Sequence, residues 1–186
     1  MRVISGDLKG KKISLPDDKK TRPLRDLVKE SIFNLIEHSN KFSLKLNNAN
    51  ILDLFSGTGS FGIECISRNA QKVTFVENYD LALKILKKNI KSFGIQDKSE
   101  IIEKNCFDFF ESKKIFKEKF NLIFMDPPYK ENKINLIIEQ IKERKILDKN
   151  AILIIHRHKK DNINISQKLN ILDERNYGSS KIIIGN

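Results

Sequence analysis

From residue 51 onward, short runs of β-branched and apolar residues alternate with stretches in which apolar side chains recur every three to four positions. The first pattern suits a strand buried on both faces and the second a helix buried on one. Their alternation predicts βαβ units and a mostly parallel sheet. Strands are expected at Ile51–Phe55, Lys72–Glu77, Glu100–Glu103, Phe120–Asp126 and Ala151–Arg157, with a closing pair near Asn170–Glu174 and Lys181–Ile184. Helices are expected at Phe61–Asn69, Leu81–Phe93, Phe107–Lys113 and Lys133–Lys145. The fold class is α/β, a doubly wound, mostly parallel seven-stranded sheet whose first five strands run in the order 3-2-1-4-5.

Ahead of this domain, Arg2–Leu15 reads as a basic β-hairpin, with Gly6 and Gly10 at turns and Val3, Ile4 and Ile13 at strand positions. A helix is expected from about Pro23 to His38, where Leu24, Leu27, Val28, Leu35 and Ile36 fall at helical spacing. Ser39–Asn50 is polar. The chain therefore divides into a hairpin-and-helix appendage (1–38), a linker (39–50) and one larger domain (51–186). A length of 186 residues suits this arrangement.

Composition narrows the setting. Cys65 and Cys106 make no disulfide framework and lack the paired spacing of a zinc site. No apolar run approaches the ~20 residues that span a bilayer, and the first five residues are too few for a signal-peptide core. A cytoplasmic protein without a membrane partner is expected. Lys and Arg number 35 against 24 Asp and Glu, a net charge of +11. The excess lies in the flanks: nine basic and five acidic residues over 1–30, fourteen and twelve over 31–129, and twelve and seven over 130–186. A polyanion such as nucleic acid suits that distribution, because neutralised phosphates release counterions. A lysine-rich coding bias is the bland alternative.

Asp53-Leu54-Phe55-Ser56-Gly57-Thr58-Gly59-Ser60-Phe61-Gly62 follows a strand and opens a helix. Gly57, Gly59 and Gly62 satisfy G-x-G-x-x-G, and Glu77 lies twenty residues after Gly57 at the next strand's end, where it would hold ribose hydroxyls. Asp53 at the loop's mouth favours one cofactor over another. It would repel a pyrophosphate and suits the ammonium and sulfonium of S-adenosylmethionine, since unit charges ~4 Å apart interact by about 4 kcal/mol at an intermediate dielectric. The candidate cofactor residues are Asp53, Phe55, Ser56, Gly57, Thr58 and Gly59 in the loop, and Glu77 with Asn78 after the second strand. Asn105 and Cys106 after the third strand complete them; Asn105 or Asp108 there either reads an adenine edge or caps the following helix.

The strand at Phe120 ends in Asp126-Pro127-Pro128-Tyr129. Two prolines fix their own φ and force the preceding residue to be extended, so Asp126 is held rigidly. The prolines offer carbonyls and no N–H, which makes an acceptor-rich pocket beside an aromatic ring. Asp126 and a backbone carbonyl can take both hydrogens of an exocyclic amine and direct its lone pair toward a methyl group, while Tyr129 stacks on the heterocycle for about 1–3 kcal/mol. Strands one and four are neighbours at the switch point, so the two motifs should touch.

Asp53–Gly62 with Asp126–Tyr129 resembles the amino-methyltransferases that use S-adenosylmethionine. Met1–Gly6, Lys9-Gly10-Lys11-Lys12, Thr21-Arg22-Pro23 with Asp26, Glu30, Phe33 and Asn34, and Tyr177-Gly178 narrow the likeness to the RsmD family over nearly the whole chain. That resemblance implies a Rossmann-like class I methyltransferase fold. It implies methylation of the N2 amine of one guanine, guanine-966, in 16S ribosomal RNA, within the small ribosomal subunit or its assembly intermediate. S-adenosylhomocysteine would be the product, and a monomer needing no metal is expected. Asp126, Pro127, Pro128 and Tyr129 would be the catalytic turn, and Arg2, Lys9, Lys11, Lys12, Arg22 and Arg25 would contact RNA. The chain departs from the family pattern at Leu24, after Pro23, and at Leu27, after Asp26.

His156-x-His158 shares a strand face but lacks a third ligand, so a metal pair is set aside. Neither motif holds a cysteine, which fits an amine nucleophile better than carbon methylation through a thiolate. The rival readings are a DNA adenine-N6 methyltransferase, served equally well by the same turn, and an NAD-dependent oxidoreductase or non-catalytic nucleotide-binding module.

Overall fold

The apolar runs pair as their composition directs. In the computed structural model, which describes residues 1–18, 24–111, 119–161, 165 and 168–186, five strands run parallel: β1 (Asn50–Leu54), β2 (Lys72–Glu77), β3 (Ser99–Glu103), β4 (Phe120–Met125) and β5 (Leu147–His158). Then β6 (Ile171–Tyr177) and β7 (Ser180–Gly185) close the sheet antiparallel, giving the order β3-β2-β1-β4-β5-β7-β6. Helices α1 (Asp26–His38), α2 (Ser60–Ser67), α3 (Asp80–Phe93), α4 (Cys106–Glu111) and α5 (Ile134–Glu143) complete the chain. Strand residues alternate between two apolar layers. Ile51, Phe75, Leu122 and Ile154 face α1, α2 and α3, while Leu54, Val76, Ile123 and Ile155 face α4 and α5.

β5 begins four residues earlier than its apolar run. Leu147 pairs with Phe120 before a register shift, and the exposed Asp148, Lys149 and Asn150 in between hide that extension from a hydrophobic pattern. The expected end of α4 at Lys113 and the Thr21-Arg22-Pro23 stretch lie outside the described residues.

The N-terminal segment shares the sheet's core. Val3, Leu8 and Ile13, the α1 residues Val28, Ile32, Phe33 and Ile36, and Leu44, Leu46 and Ala49 from the polar stretch are all buried in the same layer as β1. The expected hairpin is reduced to one antiparallel bridge, Arg2 with Lys12. A longer ladder does not form because the backbone turns to α2. Ile4 and Ser5 donate to the Glu64 carboxylate (2.8 and 2.9 Å), Asp7 donates to the Ser67 carbonyl (2.8 Å) and Leu8 to the Ser67 hydroxyl (2.9 Å). Gly6, at φ +79°, permits this: a Cβ there would lie 1.7 Å from the Ser67 carbonyl oxygen.

Lys29 seals the joint from α1. Fully buried, its Nζ lies 3.4 Å from Glu64 and donates to the Arg2 carbonyl (2.9 Å) and the Ser60 hydroxyl (3.2 Å). Burial pulls its pKa down, against the pull of Glu64. Of the two departures from the family pattern, Leu24 is buried in the core and Leu27 is 70% exposed.

Candidate active site at the tips of β1 and β4

Past β1 the chain turns through Phe55, a non-glycine residue at φ +57°. Such a conformation costs about 1–3 kcal/mol and persists only where its surroundings hold it. Here the Phe55 N–H donates to Cys106 Sγ (3.3 Å), and its ring meets Phe107 edge-on at 6.5 Å. Ser56 follows, with its N–H and hydroxyl both on the Val76 carbonyl (3.1 and 3.3 Å). The glycines then divide their tasks. Gly57 (φ +55°) faces open space where a Cβ would stand, as a loop that a ligand approaches closely requires. Gly59 and Gly62 serve packing, since a Cβ would fall 2.4 Å from Leu86 and 2.3 Å from Phe75 respectively. The Thr58 carbonyl accepts from Asn89 (3.1 Å), a fully buried amide that also exchanges bonds with the Ser14 backbone (2.9 and 3.1 Å).

Three carboxylates gather at these strand tips. Glu77 receives Gly57 N–H (2.7 Å) on one oxygen and Asn78 and Tyr79 N–H (2.8 Å each) on the other, so it braces the glycine loop. Asp53 is set deeper than the loop mouth at which the sequence reading placed it. It is 1% exposed and accepts from Gly62 N–H (3.0 Å), bracing the first turn of α2. Burial pushes its carboxyl well above the usual range, and the nearby charges of Asp126 and Glu77 push the same way, against the Gly62 bond. A carboxylate so placed is stabilised by a cation arriving beside it. Open space at Gly57 and this crowding of negative charge fit a ligand that carries a sulfonium and an ammonium.

Asn105 resolves toward the capping alternative. Its side-chain oxygen accepts from Phe107 N–H and its carbonyl from Phe109 N–H, both at 2.9 Å, at the start of α4. Cys106 is buried, and that burial pushes its thiol up, so it supplies no thiolate.

The Asp-Pro-Pro-Tyr turn leaves β4 directly beside this loop. Leu54 pairs with Met125, and Asp126 N–H reaches the Leu54 carbonyl at 3.4 Å. Two consecutive residues of β5 grip the turn. His156 Nδ1 lies 2.7 Å from Asp126 Oδ1, and its Nε2 lies 2.8 Å from the Ser180 hydroxyl. Arg157, 1% exposed, donates to the carbonyls of Pro128, Tyr129 and Glu131 at 3.1 Å each and to the Asp161 carboxylate. With the Pro128 carbonyl bonded to Arg157, the backbone carbonyl expected to act beside Asp126 would be that of Pro127. Tyr129 is 37% exposed, its ring edge-on to His158 (5.4 Å) and His156 (6.2 Å).

Arg157, Ser180 and Asn89 were not singled out as site residues from the sequence, and His156 was weighed there only as half of a metal pair. The available signal was a His-Arg pair continuing the apolar run of β5, where a polar side chain needs a buried partner. Among the described residues no group of three or more His, Cys, Asp or Glu side chains is placed to hold a metal ion. Of the basic residues, Arg2, Lys9, Lys11, Lys12 and Arg25 are exposed on the N-terminal segment, with Lys11 5.8 Å over the Phe93 ring. Arg22 lies outside the described residues.

Strand order, antiparallel closing pair and a glycine loop at the β1/β4 switch point define the fold of the class I S-adenosylmethionine-dependent methyltransferases. Within that class the chain belongs to the RsmD family: the family described as Conserved hypothetical protein 95 matches residues 1–186. The Ribosomal RNA small subunit methyltransferase D of Buchnera aphidicola subsp. Acyrthosiphon pisum is 35% identical over 161 residues, 87% of this chain and 80% of that protein. Among solved structures, HI0767 from Haemophilus influenzae superposes with a TM-score of 0.76 at 28% identity, covering 99% of this chain and 96% of that one. The yhhF protein of Escherichia coli gives 0.81 at 23% identity, over 100% and 96%, a likeness of fold.

Proposed function

We propose that this protein methylates the exocyclic N2 amine of a guanine in 16S ribosomal RNA, on the small ribosomal subunit or its assembly intermediate, acting as a cytoplasmic monomer. The observation that carries the reading is the junction of the glycine loop and the Asp-Pro-Pro-Tyr turn at adjoining strand tips, where Asp126 N–H meets the Leu54 carbonyl. The Buchnera relative's description as a small-subunit ribosomal RNA methyltransferase supports the substrate class.

When bound, S-adenosylmethionine supplies a methyl group on a positively charged sulfur. Gly57 would let it approach the backbone, Asp53 and Asp126 would favour its charge, and Glu77, through lone pairs beyond those that take the loop N–H groups, would accept from the ribose hydroxyls. Asp126 Oδ2 and the Pro127 carbonyl accept the two amine hydrogens and turn the nitrogen lone pair toward the methyl, with Tyr129 stacked on the guanine. With S-adenosylmethionine bound, its methyl would pass to that nitrogen, the amine lone pair forming the N–C bond and the C–S bonding pair remaining on sulfur. The surplus amine proton passes to Asp126, whose side chain is 21% exposed, and from there to solvent. Arg2, Lys9, Lys11, Lys12, Arg22 and Arg25 hold the RNA backbone.

Labelled methyl donor offered with small subunits, naked 16S RNA and duplex DNA tests the substrate; incorporation into DNA alone would overturn it. Asp126→Ala should lower turnover by about 10²–10⁴-fold while S-adenosylhomocysteine still binds by calorimetry. Full activity in that variant would refute its role.

A further inference from the structure

We propose that His156 is the positioning residue for Asp126, held in turn by Ser180 on β7, so that three strand ends set the orientation of one carboxylate. The inference rests on the methyl-transfer reading of the site and adds a residue from outside its motifs.

Asp126 directly follows β4, and its side chain has two torsions that the rigid Pro-Pro backbone leaves unset. His156 sets them. The imidazole is 7% exposed and aimed at the carboxylate from β5, 2.7 Å from Oδ1. A buried imidazole needs a partner on each nitrogen, and both are present. Because a carboxylate only accepts, Nδ1 carries the proton and donates it to Asp126, and in the neutral ring Nε2 accepts from the Ser180 hydroxyl 2.8 Å away. Ser180 opens β7 and is itself 5% exposed, fixed by pairing with His158 and Tyr177. The relay therefore runs between residues 126, 156 and 180, and its far end is anchored on β7, which is paired on both sides by β5 and β6.

The consequence for chemistry is geometric. With Oδ1 committed to His156, Oδ2 is the oxygen presented to the amine, at a fixed angle to the Pro127 carbonyl. A shift of about 1 Å in such a group can cost about 10²-fold in rate. His158 stands on the same strand face, and only His156 reaches the carboxylate; His158 Nδ1 accepts from the Lys160 N–H at 3.1 Å.

His156→Ala should lower kcat by about 10- to 100-fold, with S-adenosylhomocysteine affinity and the KM for the methyl donor within about twofold of wild type. His156→Asn, whose amide N–H can stand in for Nδ1–H, should recover most of that loss, and Ser180→Ala should show a smaller one. In the wild-type protein, imidazole 15N shifts should report a proton on Nδ1 of His156; these decide the matter should His156→Ala fail to fold. Wild-type kcat in His156→Ala, or a bare Nδ1, would overturn the proposal. Asp126→Ala separates the two claims: if it abolishes transfer while His156→Ala does not, only the positioning role fails, and if it is fully active the catalytic reading fails with it.

Discussion

Arg157 donates three hydrogen bonds to backbone carbonyls 26 to 29 residues upstream, and in doing so fixes the turn that would hold the substrate amine. Its planar fork serves three acceptors at once, which the compact ammonium of lysine cannot. Arg157→Lys should therefore cost about 2–3 kcal/mol in urea denaturation, since at least one charged, buried bond is lost, and should lower turnover with it. Unchanged stability would show that the turn holds itself through its prolines. This is also the scale at which the sequence was least legible. Asp126 and Tyr129 announced themselves through a four-residue motif, whereas His156, Arg157 and Ser180 act across strands and carry no local spacing. Asn105 was ambiguous for a different reason: one amide oxygen suits a ligand or a helix N-terminus equally, and only the 2.9 Å bond to Phe107 decides.

At the scale of elements, β2 spans Lys72–Glu77 as its pattern predicts, because apolar residues between polar ends bound a buried central strand. β5 and the N-terminal hairpin did not follow their patterns, and in both cases polar backbone pairing decided. Residues 39–50 read as a linker, yet Lys41 ties that stretch to β6 through Asp173 (2.9 Å), and Arg175 bonds the same carboxylate (3.2 Å). Burial works to raise the Asp173 pKa, but the bonds from Lys41 and Arg175 outweigh it and hold the group below its ordinary 3.8. A carboxyl depressed in the folded state stabilises fully above its unfolded pKa, and that contribution is lost as pH falls through the folded value. Asp173→Asn should thus lower stability near neutral pH, by roughly 0.5–1 kcal/mol given the screening of its half-exposed partners. The difference from wild type should shrink below about pH 4 in urea midpoints taken across the acid range. A constant difference would assign the effect to packing.

The whole molecule couples a basic N-terminal surface to a site at the switch point of the sheet. Strand order was legible because βαβ crossovers are right-handed and ligands bind outside the carboxyl ends of the strands. The burial of the N-terminal segment against α2 was not, since it depends on Glu64 and Ser67, which read as ordinary helix residues. Replacing Lys9, Lys11 and Lys12 by alanine should weaken RNA binding and reduce the slope of log K against log salt by about 2, at roughly 0.7 per lost phosphate contact. An unaltered slope would move the RNA path elsewhere.

The central claim is spatial: the methyl donor and the amine acceptor meet between the tips of β1 and β4. A crystal structure with S-adenosylhomocysteine tests it directly. The account predicts the sulfur beside Gly57, facing Asp126 Oδ2 with room for one amine between them. A sulfur turned away from Asp126, with polypeptide filling that space, would contradict it.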